Sequence, residues 1–152
     1  MLFKYSVKEV PNKGRGVVAE EFIPKGAKIW AFPENRALVF RSEEQLYQYL
    51  ATQPPDEHRS IVEHIFCSGI EAILLQDDTQ FTNHDDNANT VNSPDCKENF
   101  AKEDIHPGDE ITDNYTEFNT LDWFVQVCQR HGTVPGEQFP ALLRAKQQTP
   151  QL

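Results

Sequence analysis

Asp104-Ile105-His106-Pro107-Gly108-Asp109-Glu110-Ile111-Thr112-Asp113-Asn114-Tyr115-Thr116-Glu117-Phe118 is the stretch on which the fold turns. A Pro-Gly turn feeds a short β-type run that ends on a tyrosine with polar flanks. Upstream, Glu21-Phe22-Ile23-Pro24-Lys25-Gly26-Ala27-Lys28-Ile29 has the same plan: an acidic residue, an apolar one, a turn (Pro-x-Gly here, Pro-Gly in the first), then a strand. Two such units predict two similar β corners in one β-rich domain. Taken alone, Tyr115 reads as a half-buried strand tyrosine; it acquires a further meaning only from its neighbours.

Outward from these corners, turn signals at Pro11-Asn12-Lys13-Gly14, Gln53-Pro54-Pro55-Asp56 and Ser93-Pro94-Asp95 punctuate β-type runs. Val17 to Ala19, Lys28 to Phe32 and Ala37 to Phe40 are such runs, and they predict a mostly β domain with a few short helices. One helix is signalled by Ser42-Glu43-Glu44-Gln45, a capping-box form, with Leu46, Tyr49 and Leu50 following at helical spacing. Ile61 to Phe66 suits either a helix or a strand. The strand is preferred, because Cys67-Ser68-Gly69 reads as a hairpin turn into Ala72 to Leu75. A second helix is predicted from Thr120, as N-cap, to Arg130, with Leu121, Phe124, Val125 and Cys128 inward. The rest divides as a domain over 1–130 and a partly flexible extension over 131–152, whose one apolar cluster, Phe139 to Leu143, precedes a fraying end.

Two more segments carry chemistry. Lys13-Gly14-Arg15-Gly16-Val17 is a Gly-x-Gly turn entering a strand. It suits either a plain hairpin or a close backbone approach to a flat ligand, and it lacks the third glycine and the helix of a dinucleotide fingerprint. Gln80-Phe81-Thr82-Asn83-His84-Asp85-Asp86-Asn87-Ala88-Asn89-Thr90 is almost devoid of aliphatic residues. Asn and Asp at this density hold loops in irregular shapes through bonds to nearby backbone. A hard-cation site on Asp77, Asp78, His84, Asp85 and Asp86 is the weaker reading, since adjacent side chains diverge and the spacing is not that of an EF-hand. No metal is therefore expected.

The chain has 152 residues, 14 Lys+Arg and 24 Asp+Glu, giving a formal net charge of −10. That length suits one domain with a real core. The charge argues against a protein that tracks nucleic-acid phosphates and favours a basic partner. No apolar run approaches the ~20 residues of a membrane span, and the residues after Met1 do not form a secretory leader. Cys67, Cys96 and Cys128 are an odd number at wide spacing, which suits reduced thiols. A cytoplasmic location is expected.

In order, these segments resemble the SET domain of protein-lysine methyltransferases, in the short stand-alone form of bacteria and some large viruses. Lys13 to Val17 with Ile23-Pro24-Lys25-Gly26 is similar to the family's opening Gly-x-Gly. Phe81-Thr82-Asn83-His84 with Asn89 is similar to its Asn-His motif, and Glu110 to Tyr115 to the strand before its catalytic tyrosine. The likeness runs over about residues 3 to 125. It implies a β-clip-like SET fold of small curved sheets, in which the Asn-His and tyrosine segments meet as a C-terminal pseudoknot. The activity it implies is S-adenosylmethionine-dependent methylation of a lysine side chain, with S-adenosylhomocysteine as product, on a basic, lysine-containing protein. Direct nucleic-acid or membrane binding is not implied, and monomer against dimer stays open.

By the same resemblance Tyr115 is the catalytic residue. Lys13, Gly14, Arg15, Gly16, Asn83, His84 and Tyr115 bind the cofactor, and His64, Phe118 and Trp123 line the substrate channel. The chain departs from the family pattern at Gln80, Asp85, Asp86, Ala88 and Asn114, lacks the Cys-rich zinc segment, and has His64 nearest to where related short domains present a channel tyrosine. A SET-like scaffold that binds a basic peptide or the cofactor without turnover is the alternative.

Overall fold

In a computed structural model, residues 1–148 are described. The chain runs β1 (Tyr5–Val10), β2 (Gly14–Ala19), β3 (Lys28–Ala31), β4 (Ala37–Phe40), α1 (Glu43–Leu50), α2 (His58–Glu63), β5 (Ile65–Ser68), β6 (Glu71–Leu75), β7 (Asn83–His84), β8 (Thr90–Asn92), β9 (Glu98–Ala101), β10 (Glu110–Asp113), α3 (Asp122–Arg130) and α4 (Phe139–Gln148). The strands are short because a Pro or Gly turn interrupts them every few residues. Small sheets with a few short helices are thus the observed class, as the sequence predicts.

Two compact units arise from this chain, and both are discontinuous. The first comprises Met1–Ala37 and Leu75–Glu117; the second takes Leu38–Leu74 and the chain from Phe118 onward. In the first unit one sheet has the order β1-β2-β10-β7 and a second the order β3-β9-β8. Its core is Val17, Ala19, Ile23, Ile29, Ala101, Ile105 and Ile111. In the second unit the sheet β4-β6-β5 packs its apolar residues with those of α1, α2 and α3: Phe40, Leu46, Leu50, Val62, Ile65, Leu74, Phe124 and Val127.

The two predicted corners meet each other. Ile23 and Ile105, both fully buried, form an antiparallel bridge, with N–H to O distances of 2.8 and 2.9 Å in the two directions. Asp104 Oδ1 accepts the Lys25 N–H at 2.8 Å, so the acid that opens one corner ties down the other.

Three predicted elements differ. Residues 61–66 are not a strand: α2 occupies His58–Glu63 and β5 begins at Ile65. Pro55 starts a 3-10 turn that runs into α2, where its preset φ favours helix initiation, and Arg59 pairs with Glu63 at 3.0 Å one turn on. The helix ends inside the β-branched run, which is why that run reads both ways. α3 starts at Asp122 with Leu121 at the N-cap position and no side-chain cap, not at Thr120, and Val127 is buried where Val125 was expected. The apolar cluster at Phe139 is the first turn of α4, which continues to Gln148. Pro140 is tolerated in that first turn, and Ala, Leu, Arg, Lys and Gln beyond it are strong helix formers. Residues 149–152 of the expected fraying end lie outside the described residues. Among those described, no helix is long and apolar enough to cross a membrane.

Candidate functional site

The site is built around β10. On one side β10 pairs antiparallel with β2, Ile111 opposite Val17. On the other it pairs in parallel with β7, Thr112 opposite Asn83 and Asp113 opposite His84. The Gly-x-Gly strand and the Asn-His pair are thereby brought to the strand that precedes Tyr115. The polar loop contributes as a surrogate backbone. Asn89 Nδ2 donates to the Glu110 carbonyl at 2.8 Å, its Oδ1 accepts the Thr112 N–H at 2.9 Å, and Thr90 Oγ1 donates to the Thr112 carbonyl at 2.7 Å. These bonds satisfy strand groups that a two-residue partner cannot reach.

Tyr115 opens a 3-10 turn, Tyr115–Glu117, and is held at both ends. Its hydroxyl donates to the Thr82 carbonyl at 2.6 Å, and its backbone N–H donates to His84 Nδ1 at 3.2 Å. An Nδ1 that accepts places the imidazole proton on Nε2, which lies 2.9 Å from Asp86 Oδ1. The two rings stand 5.4 Å apart. Burial, and then the Asp113 and Glu110 carboxylates, push the phenol above its ordinary value of 10.0. Tyr115 is therefore a neutral, oriented phenol at neutral pH, suited to aligning a group and not to abstracting a proton.

Glu110 joins the remaining parts. Asn83 Nδ2 donates to the Arg15 carbonyl and to Glu110 Oε1, each at 2.9 Å. Lys13 Nζ lies 3.1 Å from Glu110 Oε2 and 3.9 Å from Asp85 Oδ2. A Cβ on Gly16 would fall 2.6 Å from Val10 Cγ2 and 2.8 Å from Glu110 Oε1, so the missing side chain makes room for this cluster. At Gly14 nothing lies within 4 Å of the corresponding point, and φ is +74°. There the backbone is open. The Arg15 guanidinium lies over the Phe81 ring at 4.1 Å, a cation–π arrangement. One unit thus gathers Lys13, Gly14, Arg15, Gly16, Asn83, His84 and Tyr115. Glu110 escaped the sequence reading, because nothing there distinguishes it from Asp109 beside it.

His64, Phe118 and Trp123 belong to the other unit. His64 is the C-cap of α2, not a strand residue, with Nδ1 2.6 Å from the Ser60 carbonyl. Phe118 packs on Phe66, ring centroids 5.0 Å apart, and Gly136 leaves space beside its ring. Trp123 lies half-buried on α3. Phe66 and Gly136 were not singled out by sequence. Among the described residues no three His, Cys, Asp or Glu groups gather as a metal site. Asp77 instead caps a 3-10 turn, accepting the Thr79 N–H at 3.0 Å, and Asp85 accepts the Asn87 N–H at 2.8 Å.

A family model of the SET domain matches residues 14–116. No curated protein matches the sequence. Among solved structures, the chain is similar to the methyltransferase domain of human histone-lysine N-methyltransferase SETMAR: 22% identity, 76% of this chain, 45% of that chain, TM-score 0.54. It is also similar to a candidate histone methyltransferase of Plasmodium falciparum, at 18% identity, 81% of this chain, 99% of that chain and TM-score 0.51. A third likeness is to ctPRC2 in an autoinhibited conformation bound to S-adenosylmethionine, at 15% identity, 88% of this chain, 17% of that chain and TM-score 0.59. At such identities the likeness is one of fold, and this chain spans less than half of the human chain.

Proposed function

We propose, from the premise that this chain belongs to the SET-domain family, that it transfers a methyl group from S-adenosylmethionine to a lysine side chain of a basic protein. The observation that carries this reading is the meeting of three distant segments at one strand. β10 lies between the Gly-x-Gly strand and the Asn-His pair, with Tyr115 bonded to Thr82 and His84 of the latter segment.

The residues present suit the cofactor's polar groups. Lys13 and Arg15 offer cations to its carboxylate, and the open backbone at Gly14 admits close approach. Both Nδ2 hydrogens of Asn83 are engaged inside the protein, so this side chain serves the cofactor through Oδ1, an acceptor suited to its ammonium. When bound, the cofactor supplies a sulfonium methyl as electrophile. Tyr115, its hydrogen committed to Thr82, presents the phenol oxygen as a fixed acceptor that aligns the incoming amine. The chain's own contribution is alignment and fixed dipoles, since a phenol pushed above its ordinary value keeps its proton.

Labelled S-adenosylmethionine and a mixture of lysine-rich proteins test this directly. Label is expected on protein, and Tyr115→Phe is expected to lose about a hundredfold in rate while S-adenosylhomocysteine still binds. An unchanged rate removes Tyr115 from the chemistry. Cofactor binding without transfer to any protein selects the scaffold alternative.

A further inference from the structure

The His84 side chain is enclosed, 5% of it being exposed, while that of Asp86, two residues on, is 58% exposed. A surface carboxylate thus meets a buried ring. The turn that carries the carboxylate is itself fixed. The Ala88 N–H donates to the Asp85 carbonyl at 3.1 Å, which closes a turn with Asp86 at its second position, and Asp85 Oδ1 accepts the Asn87 N–H at 2.8 Å inside it. The Asp85 N–H donates to the Asp113 carbonyl at 3.0 Å, tying the turn to the end of β10. Asp86 is one of the positions at which the chain departs from the SET pattern, and the methyl-transfer reading gives it no role. We propose that Asp86 is a positioning residue for Tyr115, acting through the His84 ring.

Two groups meet the ring at its two nitrogens, and they agree. The Tyr115 backbone N–H can only donate, and it meets Nδ1 at 3.2 Å. Nδ1 therefore carries no proton, and the ring is the neutral form with its hydrogen on Nε2. A carboxylate accepts that hydrogen, and Asp86 Oδ1 lies 2.9 Å from Nε2. Half a turn of the ring about its bond to Cβ would set carbon atoms opposite both partners, so the two bonds select one ring orientation as well as one tautomer. An imidazole whose N–H is held by a carboxylate is also the better acceptor at its other nitrogen. The phenol end of Tyr115 is held separately, by the Thr82 carbonyl at 2.6 Å. Loss of Asp86 therefore loosens the backbone end of Tyr115 and leaves the phenol bond in place. That displacement acts on alignment of the incoming amine, while Lys13, Gly14, Arg15 and Asn83, which face the cofactor, keep their own bonds.

The consequence for turnover rests on the methyl-transfer reading, the bonding does not, and the experiment separates them. Nitrogen-15 NMR of the full chain at about pH 8 reads the His84 ring and the Tyr115 amide together. The ring is expected to carry its hydrogen on Nε2 with Nδ1 bare; a hydrogen on Nδ1 overturns the proposal. In Asp86→Ala the Tyr115 amide is expected to shift and to exchange faster with solvent. In Asp86→Asn, which keeps an acceptor, it is expected to return most of the way. An unmoved amide in Asp86→Ala, or an Asp86→Asn chain no nearer the wild type than Asp86→Ala, overturns it as well. With poly-L-lysine as methyl acceptor, kcat is expected to fall about tenfold in Asp86→Ala and less in Asp86→Asn, with KM for S-adenosylmethionine changing less than about twofold. An unchanged kcat, or a loss carried by KM instead, sinks the positioning role. No transfer by any of the three chains removes the methyltransferase reading alone, and the ring and amide signals then decide the role of Asp86.

Discussion

At Gly16 a methyl group would fall 2.6 Å from Val10 Cγ2, 2.8 Å from Glu110 Oε1 and 3.0 Å from Asn83 Nδ2, so these side chains would have to shift to admit it. Gly16→Ala is expected to cost about 1–3 kcal/mol in urea unfolding and to weaken S-adenosylhomocysteine binding by displacing Asn83. Gly14 has open space but a left-handed φ. Gly14→Ala is expected to cost about 1–2 kcal/mol through the backbone alone, with Gly14→Asn milder. The Gly-x-Gly was legible in sequence as a close approach, but what approaches Gly16 is the protein itself. Glu110 makes the same point in reverse. Its importance comes from partners at Lys13, 97 residues away in sequence, and Asn83, 27 away, and no local pattern encodes that. Glu110→Ala removes the acceptor that Asn83 and Lys13 share, so calorimetry is expected to show about tenfold weaker S-adenosylhomocysteine binding, with Glu110→Gln intermediate.

Elements were legible where local chemistry alone decides them. α1 begins at the predicted cap: Ser42 Oγ accepts the Gln45 N–H at 3.2 Å, and Gln45 Oε1 accepts the Arg41 N–H at 2.8 Å, one residue earlier than the reciprocal bond of a standard box. Ser42→Ala is expected to cost about 1 kcal/mol in thermal unfolding, with little effect on cofactor binding because α1 packs in the second unit. Elements decided by tertiary partners were less legible. β7 is only two residues long; it is a strand because β10 runs beside it, and its sequence carries no strand period. α2 and β5 share one β-branched run, so the boundary depends on burial of Val62 and Ile65. The helix-start signal at Thr120 failed because the chain is still extended through Leu121, where Asn119 pairs with Cys67 across to β5.

For the whole molecule, the −10 charge predicts a split response to salt. Raising ionic strength from about 0.05 to 0.5 M is expected to raise KM for a lysine-rich protein several-fold while the affinity for S-adenosylhomocysteine changes less than about twofold. Equal responses count against an acidic docking surface. The thiols give a second whole-chain reading. Burial pushes Cys67 and Cys128 up to about 12, so both are expected to resist a thiol reagent at pH 8 until the chain is denatured. The strand order β1-β2-β10-β7 also governs the time course of folding. Ile111 pairs with Val17 across most of the first unit, a contact of long sequence separation that forms only after a costly loop closure. During synthesis β2 and β7 are made before β10, their partner in the finished sheet. Tyr115 follows directly on that strand, so assembly of the site is expected to coincide with completion of the unit, as one late step.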